Sequence, residues 1–361
     1  MAKPWRWLLL LLLLATPVIA VGWALKTNNA PHAKSVQPEK NMSQYDWMAR
    51  NSAPKGCPME IVEGGFQFVG GGSVYIPPAS LHSGWGQPVS AHVVGEDTKP
   101  LPDRMHIRFY SFLEDKIYEG EFTLPYARIA KLFAEGYRSD APGHQPRAHY
   151  DEITAGVAPG GAVALWLGGI GRRTEVFFGR ADVIDGDFHD LMGLPAHVDR
   201  NTHREEQLTQ ASERDPLVAR SQEKIPLGIW ETYRTRYHWQ PVFEGMGTPT
   251  ALRWIFYVNG EQEDLFLPLS ETDQHALRPV PINLYFLIPQ PEKYERKYDI
   301  TFDEAEMLAT FQRLGRNEAP LELVFRTEAV EGGKRFNVLV RNRDETVVLT
   351  ELASKFFRIN P

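Results

Sequence analysis

From about Ile61 onward the apolar residues of this chain come in short runs or in alternation, and glycine or proline interrupts nearly every run. This spacing constrains the fold more than any other feature. Runs of about four to eight residues are too short for packed helices and suit strands joined by tight turns. Candidate strands are Gln67–Val69, Gly72–Ile76, His106–Phe112, Ile117–Thr123, Val163–Gly168 and Thr174–Arg180. A second set follows at Leu252–Val258, Asp264–Leu267, Ile282–Leu287, Leu321–Glu328, Phe336–Arg341 and Glu345–Thr350. Glu114-Asp115-Lys116 and Asn259-Gly260-Glu261 are expected hairpin turns, the second because Asn and Gly both tolerate positive φ. The expected class is therefore α+β and strand-rich, with antiparallel sheets and a few short helices.

Two helices are legible. After Pro125, the residues Tyr126, Ile129, Ala130, Phe133 and Tyr137 share one apolar face. Thr301 and Glu304 have capping-box spacing, Ala305, Leu308 and Phe311 follow on one stripe, and Gly315 is the expected stop. Thr202 to Lys224 is densely charged, with Pro216 inside, and reads as a polar insertion of two short helices with little packing. A β-rich half at 56–200, the insertion at 201–225 and an α+β half at 226–361 are the expected divisions. A weak echo relates Ile107–Tyr110 and Leu124-Pro125 to Trp254–Tyr257 and Leu267-Pro268, as if a strand–turn–strand–Leu-Pro unit occurred twice.

The N-terminal region carries the address. Lys3 and Arg6 precede 19 uncharged residues, Trp7 to Leu25, including seven consecutive leucines. As a helix this run would span about 28 Å, close to the ~30 Å of a bilayer core. Trp5, Trp7 and Trp23 sit near its ends, where indoles favour the interface, and the basic flank places the N-terminus in the cytoplasm. Residues 1–26 are thus expected to be a signal anchor. A cleaved signal peptide ending near Ala20 is the alternative, since Val18 and Ala20 could occupy the −3 and −1 positions. Residues 27–55, polar and punctuated by Pro31, Pro38 and Pro54, read as a tether. The expected location is single-pass in a bacterial inner membrane with the body in the periplasm, or soluble there after cleavage.

Charge and composition narrow the function. Lys and Arg number 39 against 46 Asp and Glu, a net charge of −7, which argues against broad nucleic-acid binding. One cysteine excludes an intramolecular disulfide and a cysteine-based zinc site. No G-x-S-x-G, H-E-x-x-H or G-K-[ST] motif occurs. Asp185, Asp187 and Asp190 are weak candidates for a hard cation, but Gly186 between them suits a turn whose aspartates cap a helix. Arg172-Arg173, after Gly169-Ile170-Gly171, could touch an anion or sit in a solvated turn. No catalytic residue, metal or cofactor is assigned. Trp230, Tyr233, Arg234, Tyr237 and Trp239 crowd together, and Trp85 stands between two glycines. Trp, Tyr and Arg dominate binding hot spots, so these six are candidate partner contacts. The alternative is that they fill the core.

Several stretches carry a family resemblance. They are Ser73–Pro77, Gly84-Trp85-Gly86, Lys99–Pro102, Ile107–Phe112, Phe122–Tyr126, Tyr150–Ile153 with Ala158–Gly161, and Trp166-Leu167. Together they resemble domain-of-unknown-function family 2931, a group of bacterial envelope proteins, many of them lipoproteins. The resemblance is clearest from about Tyr45 to Asp190. This chain departs from the lipoproteins in having an apolar run where they carry an acylated cysteine. Members are often encoded beside type VI secretion genes, including lipase-type effectors. The resemblance therefore implies an immunity protein that binds a secreted toxin in the periplasm, and it supplies no site residues. Two other functions stay open. One is a structural or glycan-binding envelope accessory using Trp85 and Trp239. The other is an envelope hydrolase, which requires some of Asp151, Glu152, Asp185, Asp187 and His189 to converge.

Overall fold

Alternating burial explains why the short runs are strands. Along Pro102–Ser111, Met105, Ile107 and Phe109 are buried while Arg104, His106 and Arg108 lie on the other face. The computed structural model describes residues 43–89, 95–140, 147–290 and 294–359. The apolar run expected as an anchor, and the first part of the tether, lie outside them. Among the described residues, no helix is long and apolar enough to cross a membrane. Within the segment expected as tether, Met48–Ser52 is a strand, with Trp47, Ala49 and Ala53 buried around it. Its polar residues hid it: Asn51 and Ser52 are buried inside the fold.

Strands of residues 42–361 form three main sheets of nine, six and five strands, with helices few and short. Most neighbours are antiparallel, but two pairs are parallel: Met48–Ser52 with Glu152–Ala158, and Tyr237–Glu244 with Leu321–Val330. The expectation of purely antiparallel sheets is corrected there. A parallel pair needs a long crossover, and in each case the crossover includes four adjacent strands of a companion sheet plus a helix.

That coincidence reflects an internal duplication. In the first copy, Met48–Ser52, Glu152–Ala158, Ala162–Gly169 and Arg172–Arg180 lie side by side in that order. In the second copy the order is Tyr237–Glu244, Leu321–Val330, Gly333–Arg341 and Thr346–Val348, with the same directions. The companion sheet of the first copy runs Asp182–Val183, Lys116–Thr123, Pro102–Ser111, Met59–Phe68, Ser73–Tyr75. That of the second runs Leu352–Ile359, Glu295–Phe302, Pro281–Pro289, Ala251–Tyr257, Gln262–Phe266, again with matching directions. Each copy places its helix after the same strand: Tyr126–Glu135 burying Ile129 and Phe133, and Glu304–Leu314 burying Met307 and Phe311. Each then turns on a Gly-Gly pair, Gly160-Gly161 and Gly332-Gly333, all with positive φ.

The echo read in the sequence was set in the wrong register. Ala251–Tyr257 corresponds in topology to Met59–Phe68, and Pro102–Ser111 corresponds to Pro281–Pro289. The second helix also starts differently from expectation. Its cap is Asp303, which accepts from the Glu306 amide at 2.8 Å, while Thr301 belongs to the preceding strand.

The copies are fused through one sheet. Arg172–Arg180 of the first and Gln262–Phe266 of the second meet at a single register pair, Arg173 with Gln262. The charged insertion becomes the helices Arg200–Arg214 and Leu217–Glu223. It is packed more firmly than its composition suggests. Leu208, Ala211 and Val218 are buried, and Arg204 donates to the Phe112 carbonyl at 2.7 Å. These helices share one apolar core with residues of both copies, including Phe112, Ala158, Trp239 and Phe311.

Candidate functional site

Two glycine turns create the site. Gly86 has φ +72° and Gly260 has φ +82°, and the two backbones touch. A Cβ at Gly86 would lie 2.8 Å from the Gly260 carbonyl oxygen, and one at Gly260 would lie 2.7 Å from the Trp85 oxygen. The loop carrying Trp85 is thereby seated on the Asn259-Gly260 hairpin of the second copy. Trp166, in the first copy, donates its indole N–H to the Asn259 carbonyl at 3.0 Å and fixes the hairpin from below.

Around this contact lies a cleft of about 740 Å³. Its walls come from both copies and from the insertion: the Pro54–Cys57 turn, the Trp85 loop, the Leu217–Glu223 helix, Ile229 to Tyr233, and the start of the Glu304–Leu314 helix. Trp85 is half-buried, 4.9 Å from the Trp166 ring and 5.3 Å from the Trp230 ring, and Trp230 is 5.7 Å from Tyr233. Trp230 and Tyr233 form the floor at 3% and 6% exposure. The Trp230 indole donates to the Pro159 carbonyl at 2.9 Å, and the Tyr233 hydroxyl donates to Glu304. On the insertion side, Leu217 lines the cleft at 39% exposure, so apolar surface continues from the cleft toward solvent.

Two titratable groups sit at the base. Burial raises the Glu304 carboxyl above its ordinary range, and the Tyr233 hydroxyl partly offsets this. Burial pushes the Cys57 thiol up to about 12, against a weaker contribution from Ser221, whose hydroxyl lies 4.0 Å away. A thiol held protonated is a poor nucleophile, and no histidine lines the cleft to take its proton. The cleft therefore offers apolar and aromatic contact with a polar rim.

The six aromatic and arginine candidates divide into three groups. Trp85, Trp230 and Tyr233 meet in the cleft. Arg234 lies beyond the hairpin, bound to Glu175 at 2.6 Å and stacked over Phe178 at 4.7 Å. Tyr237 packs 5.5 Å from Phe311, and Trp239 is fully buried, with its N–H on the Pro279 carbonyl at 3.1 Å. The strand Tyr237–Glu244 turns these last two inward, so they are core in this chain. Leu217, Ile229, Phe256 and Glu304 also line the cleft and carried no signal in the sequence, because their segments are far apart along it.

The acidic candidates stay separate. Asp187 caps the Phe188–Met192 helix, accepting from the His189 and Asp190 amides at 2.9 and 3.1 Å, and Asp185 and Asp190 are exposed. Among the described residues, no group of three or more His, Cys, Asp or Glu side chains is arranged to hold a metal ion. Asp151 lines a different cavity with His149 and Tyr150, and Glu152 pairs with Arg50 at 3.0 Å.

Residues 32–227 match the family described as "Protein of unknown function (DUF2931)", a span that covers the first copy and the insertion. No curated protein and no solved structure matches the chain.

Proposed function

The chain belongs to that family, and on this premise we propose that it is a binding protein of the bacterial envelope, held at the inner membrane by its N-terminal apolar run, which grips a protein partner in the Trp85 cleft. The partner in this reading is a secreted toxin delivered to the periplasm, and the chain acts as its immunity protein. The observation that supports the gripping role is the cleft itself, where aromatic side chains remote in sequence converge beside the exposed Leu217. Such a centre, water-excluding and rich in Trp and Tyr, is where binding energy concentrates. The toxin as occupant rests on the family's genetic setting.

The test is co-purification with the product of the adjacent gene, the proposed toxin, using wild-type chain, Trp85→Ala and Leu217→Asp. A stable complex should bury at least about 1,000 Å². Trp85→Ala should weaken it by about 2 kcal/mol, roughly thirtyfold. Leu217→Asp alters an exposed side chain in the first turn of its helix, where an acidic residue is tolerated, so its loss of binding reports the interface. A deletion strain that survives attack by parental cells would refute the immunity role.

A further inference from the structure

A second cavity lies across the Asn259-Gly260 hairpin from the cleft, at the seam where the two copies meet in a single register pair. Strands that touch at one residue pair diverge on either side, and the wedge between them is filled by charged side chains. Its volume is about 450 Å³, within the range of small-molecule sites.

Its charges do not cancel. Six arginines and four carboxylates line it, 6 − 4 = +2. Four of the arginines are matched. Arg172 and Arg278 share Glu263 at 2.8 and 3.1 Å, and Arg278 also holds Asp273 at 3.1 Å. Arg234 binds Glu175 at 2.6 Å and Arg236 binds Glu261 at 2.7 Å. The surplus is Arg128 and Arg173. Among the described residues each is held only by a backbone carbonyl, Arg128 by that of Glu175 at 3.0 Å and Arg173 by that of Gly260 at 3.3 Å. The Nε atoms of Arg172 and Arg173 are buried without a hydrogen-bond partner. The carboxylate acting on Arg173 through space is Glu152, which is already paired with Arg50. Burial draws the Arg173 guanidinium down to about 10.

Leaving a buried guanidinium N–H without an acceptor is costly, and the two buried Nε–H groups of these half-buried arginines mark where acceptors are missing. We infer that this cavity is a binding site for a small ligand bearing two negative charges, such as a phosphate monoester or a dicarboxylate, whose oxygens accept from Arg173 and Arg128. Guanidinium suits either, since its forked donors match two oxygens at once. The site is independent of the toxin and of the cleft.

Calorimetric titration of the full chain with inorganic phosphate, glycerol 3-phosphate and succinate tests it, with thermal melts in parallel. At least one probe should bind, more weakly as salt increases, and should raise the melting temperature. Binding by both phosphate probes but not succinate would identify a phosphate site; the reverse would identify a carboxylate site. Arg173→Gln should lose at least tenfold in affinity, yet melt no lower than wild type without ligand, because it removes an uncompensated buried charge. Arg104→Gln, on an exposed strand face, should bind as wild type. No binding by any probe at millimolar concentration, or equal binding by Arg173→Gln, would overturn the inference.

Discussion

Cys57 and Glu304 illustrate how burial sets chemistry at single residues. The Cys57 thiol is pushed up to about 12, so almost none is thiolate near neutrality. Native protein should therefore resist alkylation by iodoacetamide at pH 8 and react fully in guanidinium chloride; rapid native labelling would contradict the buried placement. Glu304 is shifted in the same direction, and in its case the shift bears on stability at ordinary pH. Its folded carboxyl holds a proton above the ordinary 4.5, whereas the unfolded carboxyl loses it there. The folded state then binds more protons, so this group lowers stability as pH rises from 4.5 through its raised value. Glu304→Gln keeps an acceptor for Tyr233 and should flatten that part of the profile, read from urea unfolding between pH 4 and 8. Trp239 shows why the aromatic candidates divided. Crowding in sequence marks an aromatic-rich segment, but strand alternation and a turn decide which rings face the cleft and which fill the core.

At the scale of elements, the Gly86–Gly260 contact holds the cleft together. Gly86→Ala adds a Cβ 2.8 Å from a carbonyl oxygen at a φ of +72°. The expected cost is about 1–3 kcal/mol, with the Trp85 loop displaced. A lowered urea midpoint with altered tryptophan emission checks this; an unchanged spectrum would mean the loop is not seated as described. The Asn-Gly signal gave the hairpin correctly, and the structure adds that Asn259 is buried and bound to Glu175 at 3.1 Å. The helix at Tyr126 was legible because Pro125 and a clean apolar stripe agreed. The capping box at Thr301 was misleading because the strand runs on through Phe302 and Asp303 caps the helix instead, through the Glu306 amide. Met48–Ser52 escaped notice because its buried residues are Ala49, Asn51 and Ser52, and Glu152–Ala158 because Thr154 and Gly156 are buried beside Ile153 and Val157, which blurs the alternation.

Over the whole molecule, duplication of one sandwich explains the length, the two helices and the Gly-Gly turns, yet little of it shows in the sequence. Periodicity fixes that a segment is a strand, and pairing order depends on which faces meet. Topology was therefore the part least legible in advance. The match to residues 32–227 covers one copy and the insertion, consistent with two copies that have drifted apart. One of two apolar cores joins residues of both copies and the insertion helices, the other lying within the first copy, and that shared core should make the body unfold as a unit despite the single-pair seam. Phe311→Ala, expected to cost about 3–5 kcal/mol, should lower one calorimetric transition without splitting it. Two separate transitions would show that the copies are independent.

The account rests on the cleft as a gripping surface. The measurement closest to that proposal is a calorimetric titration of the purified product of the adjacent gene, the proposed partner, into the wild-type chain and into Leu217→Asp. One-to-one binding by the wild type, weakened at least tenfold in the folded variant, is the expected result. No binding by the wild type, or equal affinity for both, would contradict it.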